Sequence, residues 1–307
     1  MKAMILAAGL GTRLRPLTDT RPKALVELSS RTLLEITLSR LRTFGVSEVI
    51  INVHHFADQV TDYLKSHKNF GMRIEISREE VLLDTGGGLK KAAWFFLEDS
   101  ARRDSHRGDS SRGDSSRGDS SRGDSTQIDE PFLLHNVDVI SNIDFQRTLQ
   151  FHRENNALAT LAVQSRETSR YLLFDNHLQL RGRRAGLYGK PELVRVPTAN
   201  SLHERGASQP AETINNCHSE RSEEFAFSES PAARPESLQA LAFSGIHIIS
   251  PRLLPMLTEE GVFSIIPSYL RLSAQGEKIL AFRADQYYWR DLGRPADLAQ
   301  AALDLPL

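Results

Sequence analysis

The sequence is short of cysteine and of long hydrophobic runs. Of its 307 residues one is a cysteine, Cys217, so neither a disulfide within the chain nor a cysteine-based zinc site can form. No apolar run approaches the ~20 residues that a membrane span requires. The formal net charge of −1 lacks the basic excess that is typical of nucleic-acid binding. We therefore expect no nucleic acid and no membrane among the partners.

The first residues also lack a targeting pattern. A secretion signal has a basic start, an apolar centre and a small-residue cleavage site. This sequence instead begins at once with a short apolar run and a glycine-containing loop, so we expect a cytoplasmic protein. With 40% hydrophobic residues, the composition suits one or two globular domains, and we expect a monomer or a small homo-oligomer.

A distinctive stretch opens the chain. The apolar run Lys2–Ala8 predicts a strand, and Gly9–Arg13 (GLGTR) predicts a tight turn that ends in a cation. Glycine permits sharp turns and close approach of the backbone, and consecutive N–H groups after a strand bind anions. Arg13 and Lys23 supply two cations across a proline-containing loop that cannot be one continuous helix. The stretch favours a triphosphate site over a plain turn with two solvated cations.

The pattern that follows alternates helices and strands. Apolar residues at helical spacing predict helices over Thr32–Phe44 and Asp58–Lys68, and Glu48–Val53 and Arg73–Ser77 have the character of strands. Such alternation predicts an α/β fold, a Rossmann-like, mostly parallel sheet flanked by helices. Ligands of these sheets bind beyond the carboxyl ends of the strands. The later predicted elements are the strands Phe132–His135, Ala157–Gln164, Leu241–Ile249 and Ile279–Arg283, the hairpin Tyr171–Phe174 with Leu178–Arg181, and the helices Asp144–Asn155, Ser264–Ala274 and Pro295–Leu303.

A second glycine-rich stretch precedes an apolar helix. Leu83–Gly88 (LDTGGG) predicts a loop, and Leu89–Leu97 predicts the helix behind it. Three glycines in a row are usually a flexible turn. Beside the opening stretch, however, they favour a backbone that approaches a flat or anionic ligand.

Two segments differ in composition from the rest. Arg102–Thr126 repeats a five-residue unit without apolar residues, and Arg183–Ser237 is rich in Ser, Glu, Arg, Pro and Asn. Neither can bury a core, so we expect disorder in both. The first contains Arg-Gly-Asp four times, which we interpret as a repeat tolerated in a surface loop rather than as an adhesion signal. The prediction is one domain, 1–307, interrupted by inserts at about 99–127 and 183–237.

A carboxylate is placed where a cation could bind. Asp138 follows the predicted buried strand Phe132–His135 and should lie at the mouth of the sheet. Mg²⁺ prefers carboxylate, phosphate and water oxygens, so Asp138 is a candidate metal ligand. The adjacent His54 and His55 are not, because neighbouring side chains of an extended chain point to opposite faces.

These segments together resemble one family. Leu6–Thr18 (LAAGLGTRLRPLT) with Pro22–Leu25 (PKAL) is similar to the signature of the sugar-1-phosphate nucleotidyltransferases, and Leu83–Gly88, Phe243–Ile246 and Tyr288–Pro295 are similar to its later motifs. The resemblance covers almost the whole chain outside the two inserts. It implies the glycosyltransferase-A-like nucleotidyltransferase fold. No C-terminal left-handed β-helix is expected, because little sequence follows the last motif.

The resemblance also implies a site. Lys23 is expected at the α- or sugar phosphate, Arg13 at the leaving pyrophosphate, and Asp138 and Asp291 as two Mg²⁺ ligands. Val137 stands where the family has a glycine, which affects how closely the backbone can approach a nucleotide. The residues expected to bind base, ribose and phosphates are Leu6, Ala7, Ala8, Gly9, Gly11, Thr12, Arg13, Thr85, Gly86, Gly87, Asn136 and Gly245.

The implied reaction transfers a nucleoside monophosphate from an NTP to a sugar-1-phosphate and releases pyrophosphate, an EC 2.7.7 reaction that supplies cell-wall or polysaccharide precursors. The compact design is most similar to N-acetylmuramate-1-phosphate uridylyltransferases, with mannose-1-phosphate guanylyltransferases and glucose-1-phosphate nucleotidyltransferases as alternatives. Two alternatives belong to other functional classes: a catalytically silent sugar-nucleotide sensor, and an interaction protein that acts through its repeats. The joint presence of Lys23, Asp138 and Asp291 disfavours the sensor, and the lack of a secretion signal disfavours adhesion.

Overall fold

The structure, a computed structural model, describes residues 1–97, 130–194 and 238–304. Its helices are α1 (Leu33–Thr43), α2 (Ala57–Ser66), α3 (Asp84–Lys91), α4 (Phe145–Glu154), α5 (Ile265–Ala274) and α6 (Pro295–Asp304). Its strands are β1 (Lys2–Leu6), β2 (Glu27–Leu28), β3 (Arg31–Thr32), β4 (Glu48–Val53), β5 (Arg73–Arg78), β6 (Phe132–Asn136), β7 (Val139–Ser141), β8 (Ala159–Gln164), β9 (Arg170–Phe174), β10 (Leu180–Ala185), β11 (Pro191–Leu193), β12 (Gln239–Ile249), β13 (Ile279–Arg283) and β14 (Trp289–Asp291).

One large sheet organises the described residues. Its order is β11-β10-β9-β12-β6-β1-β4-β5, and β12 also pairs with β8, which pairs with β13. The pairs β5–β4, β4–β1, β1–β6 and β8–β13 are parallel, whereas β12 runs antiparallel to both β6 and β8. It follows that β1, β6 and β8 point the same way and end at the same edge of the sheet, as the predicted α/β fold requires.

The two faces of the sheet carry two separate cores. In β1, Ala3 and Ile5 belong to one hydrophobic cluster and Met4 to the other, because successive side chains of a strand point to opposite faces. All three side chains are fully buried. Helices α1 and α2 cover the first face, and α3 and α5 cover the second. Burial on both faces explains why the central strands are continuous apolar runs.

Most predicted elements are confirmed. The strands Glu48–Val53 and Ile279–Arg283 begin and end as predicted. Helix α1 begins after Thr32, whose hydroxyl accepts a 3.0 Å hydrogen bond from the backbone N–H of Glu35. None of the helices in the described ranges combines the length and apolar character of a membrane span.

The predicted start of the second insert was wrong. Residues 183–185 complete β10, and residues 191–193 form β11, which pairs antiparallel with it. The composition of this segment is polar, but it lies at the outer edge of the sheet, where backbone hydrogen bonds alone extend a hairpin. The remainder of that insert and the whole of the predicted first insert lie outside the described residues.

Candidate active site

The opening loop connects β1 to a short turn at Thr12–Leu14. Gly11 has φ +65°, in the left-handed region, and a Cβ built there would lie 2.9 Å from Thr18 Cγ2. Thr18 also closes the loop, since its hydroxyl donates a 2.9 Å hydrogen bond to the carbonyl of Gly11. Glycine is therefore required at this position by the chain itself.

The predicted nucleotide-binding residues of this loop differ in exposure. Ala7 and Ala8 are buried and Leu6 is half-buried, whereas Gly9, Thr12 and Arg13 are exposed, with Gly11 between these limits. The N–H of Ala7 donates a 2.7 Å hydrogen bond to Asn52 Oδ1, so this amide is already engaged. The exposed part of the loop at the end of β1 is the part that a ligand can reach.

Lys23 and Asp138 form an ion pair beside this loop. Lys23 begins a short turn, Lys23–Leu25, that follows Pro22, and Asp138 lies between β6 and β7. Their side chains are 11% and 14% exposed. Removing either partner of so enclosed a pair leaves a charge without compensation. The fold thus brings together two predicted site residues that are 115 positions apart.

A small two-stranded sheet brings Asp291 to the same place. β7 pairs with β14 so that Val139 lies opposite Asp291, and the N–H of Leu292 donates a 2.8 Å hydrogen bond to the carbonyl of Asp138. The carboxylate of Asp291 accepts a 2.7 Å hydrogen bond from the N–H of Gly293 and lies 4.0 Å from the Arg13 guanidinium. Four predicted site residues, Arg13, Lys23, Asp138 and Asp291, are therefore close together.

The surroundings of Asp291 disfavour its charged form. Burial raises the pKa of Asp291, and the nearby Asp138 carboxylate raises it further, while Lys23 and Arg13 act in the opposite sense. Two carboxylates so placed disfavour each other's charged form. A cation between them would relieve this repulsion.

The donor chemistry fits a hard divalent cation. Within the described ranges no three His, Cys, Asp or Glu side chains are grouped closely enough to hold a metal. Mg²⁺ commonly binds through one or two carboxylates, with waters and substrate phosphates as its other ligands. The two carboxylates of Asp138 and Asp291 fit that pattern.

The predicted loop at the second glycine-rich stretch was wrong, because these residues begin helix α3. The N–H groups of Gly86 and Gly87 both donate to the carbonyl of Phe263, at 2.9 and 3.1 Å. A Cβ on Gly86 would lie 2.4 Å from the Phe263 ring, and one on Gly87 would lie 2.5 Å from the carbonyl oxygen of Gly261. The glycines therefore let this helix pack directly against the segment before α5. The hydroxyl of Thr85 accepts a 3.0 Å hydrogen bond from the N–H of Ile265 in the same contact.

The predicted residues Asn136 and Gly245 also contact each other. Gly245 lies in β12 with φ +71°, and a Cβ there would be 2.8 Å from Asn136 Nδ2. Val137, which replaces the family's glycine, is 2% exposed and packs into the core, while its N–H donates to the carbonyl of Leu6 at 3.1 Å. The valine side chain is thus part of the hydrophobic core.

Comparison with known proteins agrees with the sequence signature. The family model of nucleotidyl transferases matches residues 2–103. An N-acetylmuramate alpha-1-phosphate uridylyltransferase from Caulobacter vibrioides is 52% identical over 93 residues, 29% of this chain and 38% of that protein. A mannose-1-phosphate guanyltransferase from Yarrowia lipolytica is 25% identical over 299 residues, 97% of this chain and 62% of that protein. Over these regions the chain is similar to sugar-1-phosphate nucleotidyltransferases.

Solved structures confirm the fold. A putative glucose-1-phosphate thymidylyltransferase from Bacillus anthracis superposes with a TM-score of 0.64 at 14% identity, over 100% of this chain and 97% of that one. HddC from Yersinia pseudotuberculosis, complexed with GMP-PN, gives 0.60 at 17% identity, over 99% and 98%. The chain spans less than two thirds of the length of the two relatives from Caulobacter and Yarrowia.

The sequence analysis missed a polar network behind the opening loop. Asn52 and Glu79 are 3% and 2% exposed, and Asn52 Nδ2 donates a 2.7 Å hydrogen bond to Glu79 Oε1. The other carboxylate oxygen of Glu79 accepts a 2.9 Å hydrogen bond from the N–H of Leu83. Through Asn52 this network joins Ala7 to the residue before α3. The available signal was Asn52, an amide side chain that interrupts the apolar residues Val49–Val53.

Proposed function

We propose that this protein transfers a nucleoside monophosphate from an NTP to a sugar-1-phosphate, giving an NDP-sugar and pyrophosphate. The observation that carries the proposal is the cluster of Lys23, Asp138, Asp291 and Arg13 at the carboxyl edge of the sheet. It adjoins an exposed glycine-containing loop, which suits the binding of phosphates. The two cations suit the binding of phosphates, and the two carboxylates suit a divalent cation that would offset phosphate charge.

The chemistry needs no covalent intermediate on the protein. An oxygen of the sugar phosphate forms a bond to the α-phosphorus of the NTP, and the bond from that phosphorus to the oxygen bridging to the β-phosphorus breaks. Pyrophosphate leaves with that oxygen. The protein's task is positioning and charge neutralisation. We assign Lys23 to the α- or sugar phosphate and Arg13, whose planar fork matches phosphate oxygens, to the departing pyrophosphate.

Asp138 and Asp291 are the residues that we propose to hold Mg²⁺. A bound Mg²⁺ would offset negative charge on the phosphates and help to orient both substrates. The ammonium group of Lys23 is the ion-pair partner of Asp138. The proposal includes a cytoplasmic location, which suits a chain with a single cysteine, and a role in supplying cell-wall or polysaccharide precursors.

For the substrates we propose UTP and N-acetylmuramate-1-phosphate. The support is the 52% identity of the matching 93-residue region to the Caulobacter uridylyltransferase. A second candidate pair is GTP with mannose-1-phosphate, favoured by the alignment of 97% of this chain with the Yarrowia guanyltransferase. A glucose-1-phosphate is a third candidate sugar substrate.

A panel assay tests the proposal. Purified protein is incubated with Mg²⁺ and each combination of UTP, GTP, ATP, CTP and dTTP with N-acetylmuramate-, mannose- and glucose-1-phosphate, and pyrophosphate is detected. The fastest release is expected with UTP and N-acetylmuramate-1-phosphate. The matched control is the double variant Asp138→Asn with Asp291→Asn, which should release none. Pyrophosphate release that persists in the control would identify a contaminant.

The absence of pyrophosphate release with every substrate pair would distinguish an enzyme from a binding protein. If the wild-type protein binds NDP-sugars by calorimetry yet releases no pyrophosphate with any pair, the transferase proposal is overturned. The protein would then be a sugar-nucleotide sensor. Release with GTP and mannose-1-phosphate alone would retain the reaction and replace the substrates.

A further inference from the structure

Arg166 lies at the same edge of the sheet as the proposed active site. It follows the carboxyl end of β8, whose last residue, Gln164, pairs with Ala242 of β12. Along that edge the order is the opening loop after β1, then Asp138 after β6, then β12, then Arg166 after β8. Arg166 is thus on the far side of the carboxylates from the loop that we assign to the NTP.

The guanidinium of Arg166 is held in a fixed position. Its central carbon lies 3.6 Å from the centroid of the Trp289 ring, and Nη2 donates a 2.7 Å hydrogen bond to the carbonyl of Phe243. Trp289 is itself anchored, because its indole N–H donates a 2.7 Å hydrogen bond to the carbonyl of Ser244. Trp289 stands two residues before Asp291 in β14. A planar guanidinium stacked on indole is preorganised in a way that a lysine ammonium cannot reproduce.

The structure leaves much of this guanidinium's hydrogen-bonding capacity unused. Arginine offers five N–H donors, and among the described residues Arg166 forms one hydrogen bond, to Phe243. Its Nε is shielded from solvent and has no hydrogen-bond partner in the described part of the chain, which is costly and uncommon in native proteins. The side chain as a whole is half-buried, so part of it is open to solvent. Unused donors on an immobilised cation are typical of an anion-binding position.

Charge balance points to the same conclusion. Without Arg166 the cluster holds two cations, Arg13 and Lys23, and two carboxylates, Asp138 and Asp291. Arg166 feels the charge of Asp291, so it belongs to the same electrostatic environment. Its guanidinium gives the far side of the site an excess positive charge, where a second phosphate-bearing substrate would enter.

We propose that Arg166, stacked on Trp289, binds the phosphate of the sugar-1-phosphate and so distinguishes the second substrate from the NTP. This assignment rests on the proposed function, since it takes the opening loop as the NTP site. The alternative is that Arg166 only braces Trp289 and through it β14. A brace would affect both substrates or overall stability, whereas a phosphate contact would affect one substrate.

The test is a comparison of KM values. Arg166→Gln is expected to raise KM for N-acetylmuramate-1-phosphate, or for the sugar-1-phosphate that the panel selects, by about 10- to 100-fold, the scale of a lost charge-assisted hydrogen bond. KM for the NTP should change by less than about twofold, within ordinary mutational scatter. Arg166→Lys should recover part of the loss, because it retains the charge but not the stacked fork.

The matched control is Arg153→Gln. Arg153 is a half-exposed arginine in α4, paired with Glu130 at 3.0 Å. It precedes the amino end of β8, whereas Arg166 follows the carboxyl end. Arg153→Gln should leave both KM values unchanged. Equal changes in both KM values for Arg166→Gln, or no change in either, would overturn the proposal. The melting temperature of each variant shows whether a loss reflects unfolding.

The outcome is separable from that of the proposed function. If the wild-type protein turns over no pair, the proposed function fails by itself. Calorimetry with N-acetylmuramate-1-phosphate, mannose-1-phosphate and glucose-1-phosphate then tests Arg166 directly. Binding that Arg166→Gln removes and Arg153→Gln retains would support the phosphate contact. Absence of binding to the wild type, or equal binding to both variants, would overturn it.

Discussion

Gly9 offers a direct test of whether the opening loop meets a ligand. A Cβ built at Gly9 has no atom within 4 Å, and its φ lies outside the left-handed region. Nothing within the described part of the chain therefore requires a glycine there. If the exposed backbone at Gly9 approaches the phosphates of an NTP, a methyl group would stand in the way. We expect Gly9→Ala to reduce NTP affinity while leaving the fold intact.

The size of both effects follows from the structure. Replacing a glycine by alanine where the backbone is compatible stabilises a protein by about 0.4–1 kcal/mol, because the unfolded chain loses freedom. For a chain of this size that is a rise in melting temperature of roughly 1–4 °C. A methyl group that blocks close approach should cost the complex at least about 1.4 kcal/mol, a tenfold loss of affinity.

Gly11→Ala is the contrasting variant. Its φ of +65° and the 2.9 Å approach to Thr18 predict a loss of stability, of which the left-handed conformation alone accounts for about 1–2 kcal/mol. Thermal melting and calorimetry with UTP, or with the NTP that the panel selects, measure both variants. If Gly9→Ala binds that NTP as tightly as the wild type does, the backbone at Gly9 does not face a ligand, and the assignment of this loop is wrong.

Three further predictions concern the cluster and the core. Lys23→Ala leaves Asp138 without its partner, so it should lower the free energy of unfolding, measured in urea, by about 2–3 kcal/mol and kcat by roughly 100-fold. Adding Asp138→Asn should restore stability but not kcat. Recovery of both would refute the catalytic role. Asp291→Asn should abolish most turnover yet raise the melting temperature at neutral pH. The pKa of Asp291 is raised in the folded protein, so stability is lost as the pH rises through that pKa and the carboxyl group becomes charged. A lower melting temperature would contradict this. Burial, with His135 nearby, lowers the pKa of His247 to about 3, so the unfolded chain alone takes up this proton below pH ~6.5. His247→Gln should therefore remove about 2 kcal/mol of the stability loss between pH 7 and pH 5, and an unchanged pH dependence in urea unfolding would refute it.

Sequence patterns predicted the fold where burial alone decides the structure. The runs Glu48–Val53 and Ile279–Arg283 are mostly apolar and each contains four β-branched or other apolar residues, so their limits were clear. Glycines 86–88 misled, because low helix propensity was outweighed by packing that only small residues permit against Phe263 and Gly261. That contact joins segments more than 170 positions apart, which no local pattern contains.

The candidate site shows the same division. Lys23, Asp138 and Asp291 stand in recognisable motifs, and the fold brings them together through the β7–β14 pairing. Arg166 stands in no motif. Its position follows from β8 ending beside β12 and from its stacking on Trp289, which lies more than 100 residues later in the sequence. Isolated residues of this kind can be found only once the neighbours of each strand are known.

The position of β1 has a consequence for dividing the chain. Its neighbours are β4, from the same stretch of sequence, and β6, which lies beyond residue 129. A cut between residues 97 and 130 would leave the first fragment with the unpaired edge of β1 and the second with the unpaired edge of β6. Exposed strand edges bind complementary strands. When the two fragments are mixed, they should therefore recombine. Either fragment without the other should aggregate.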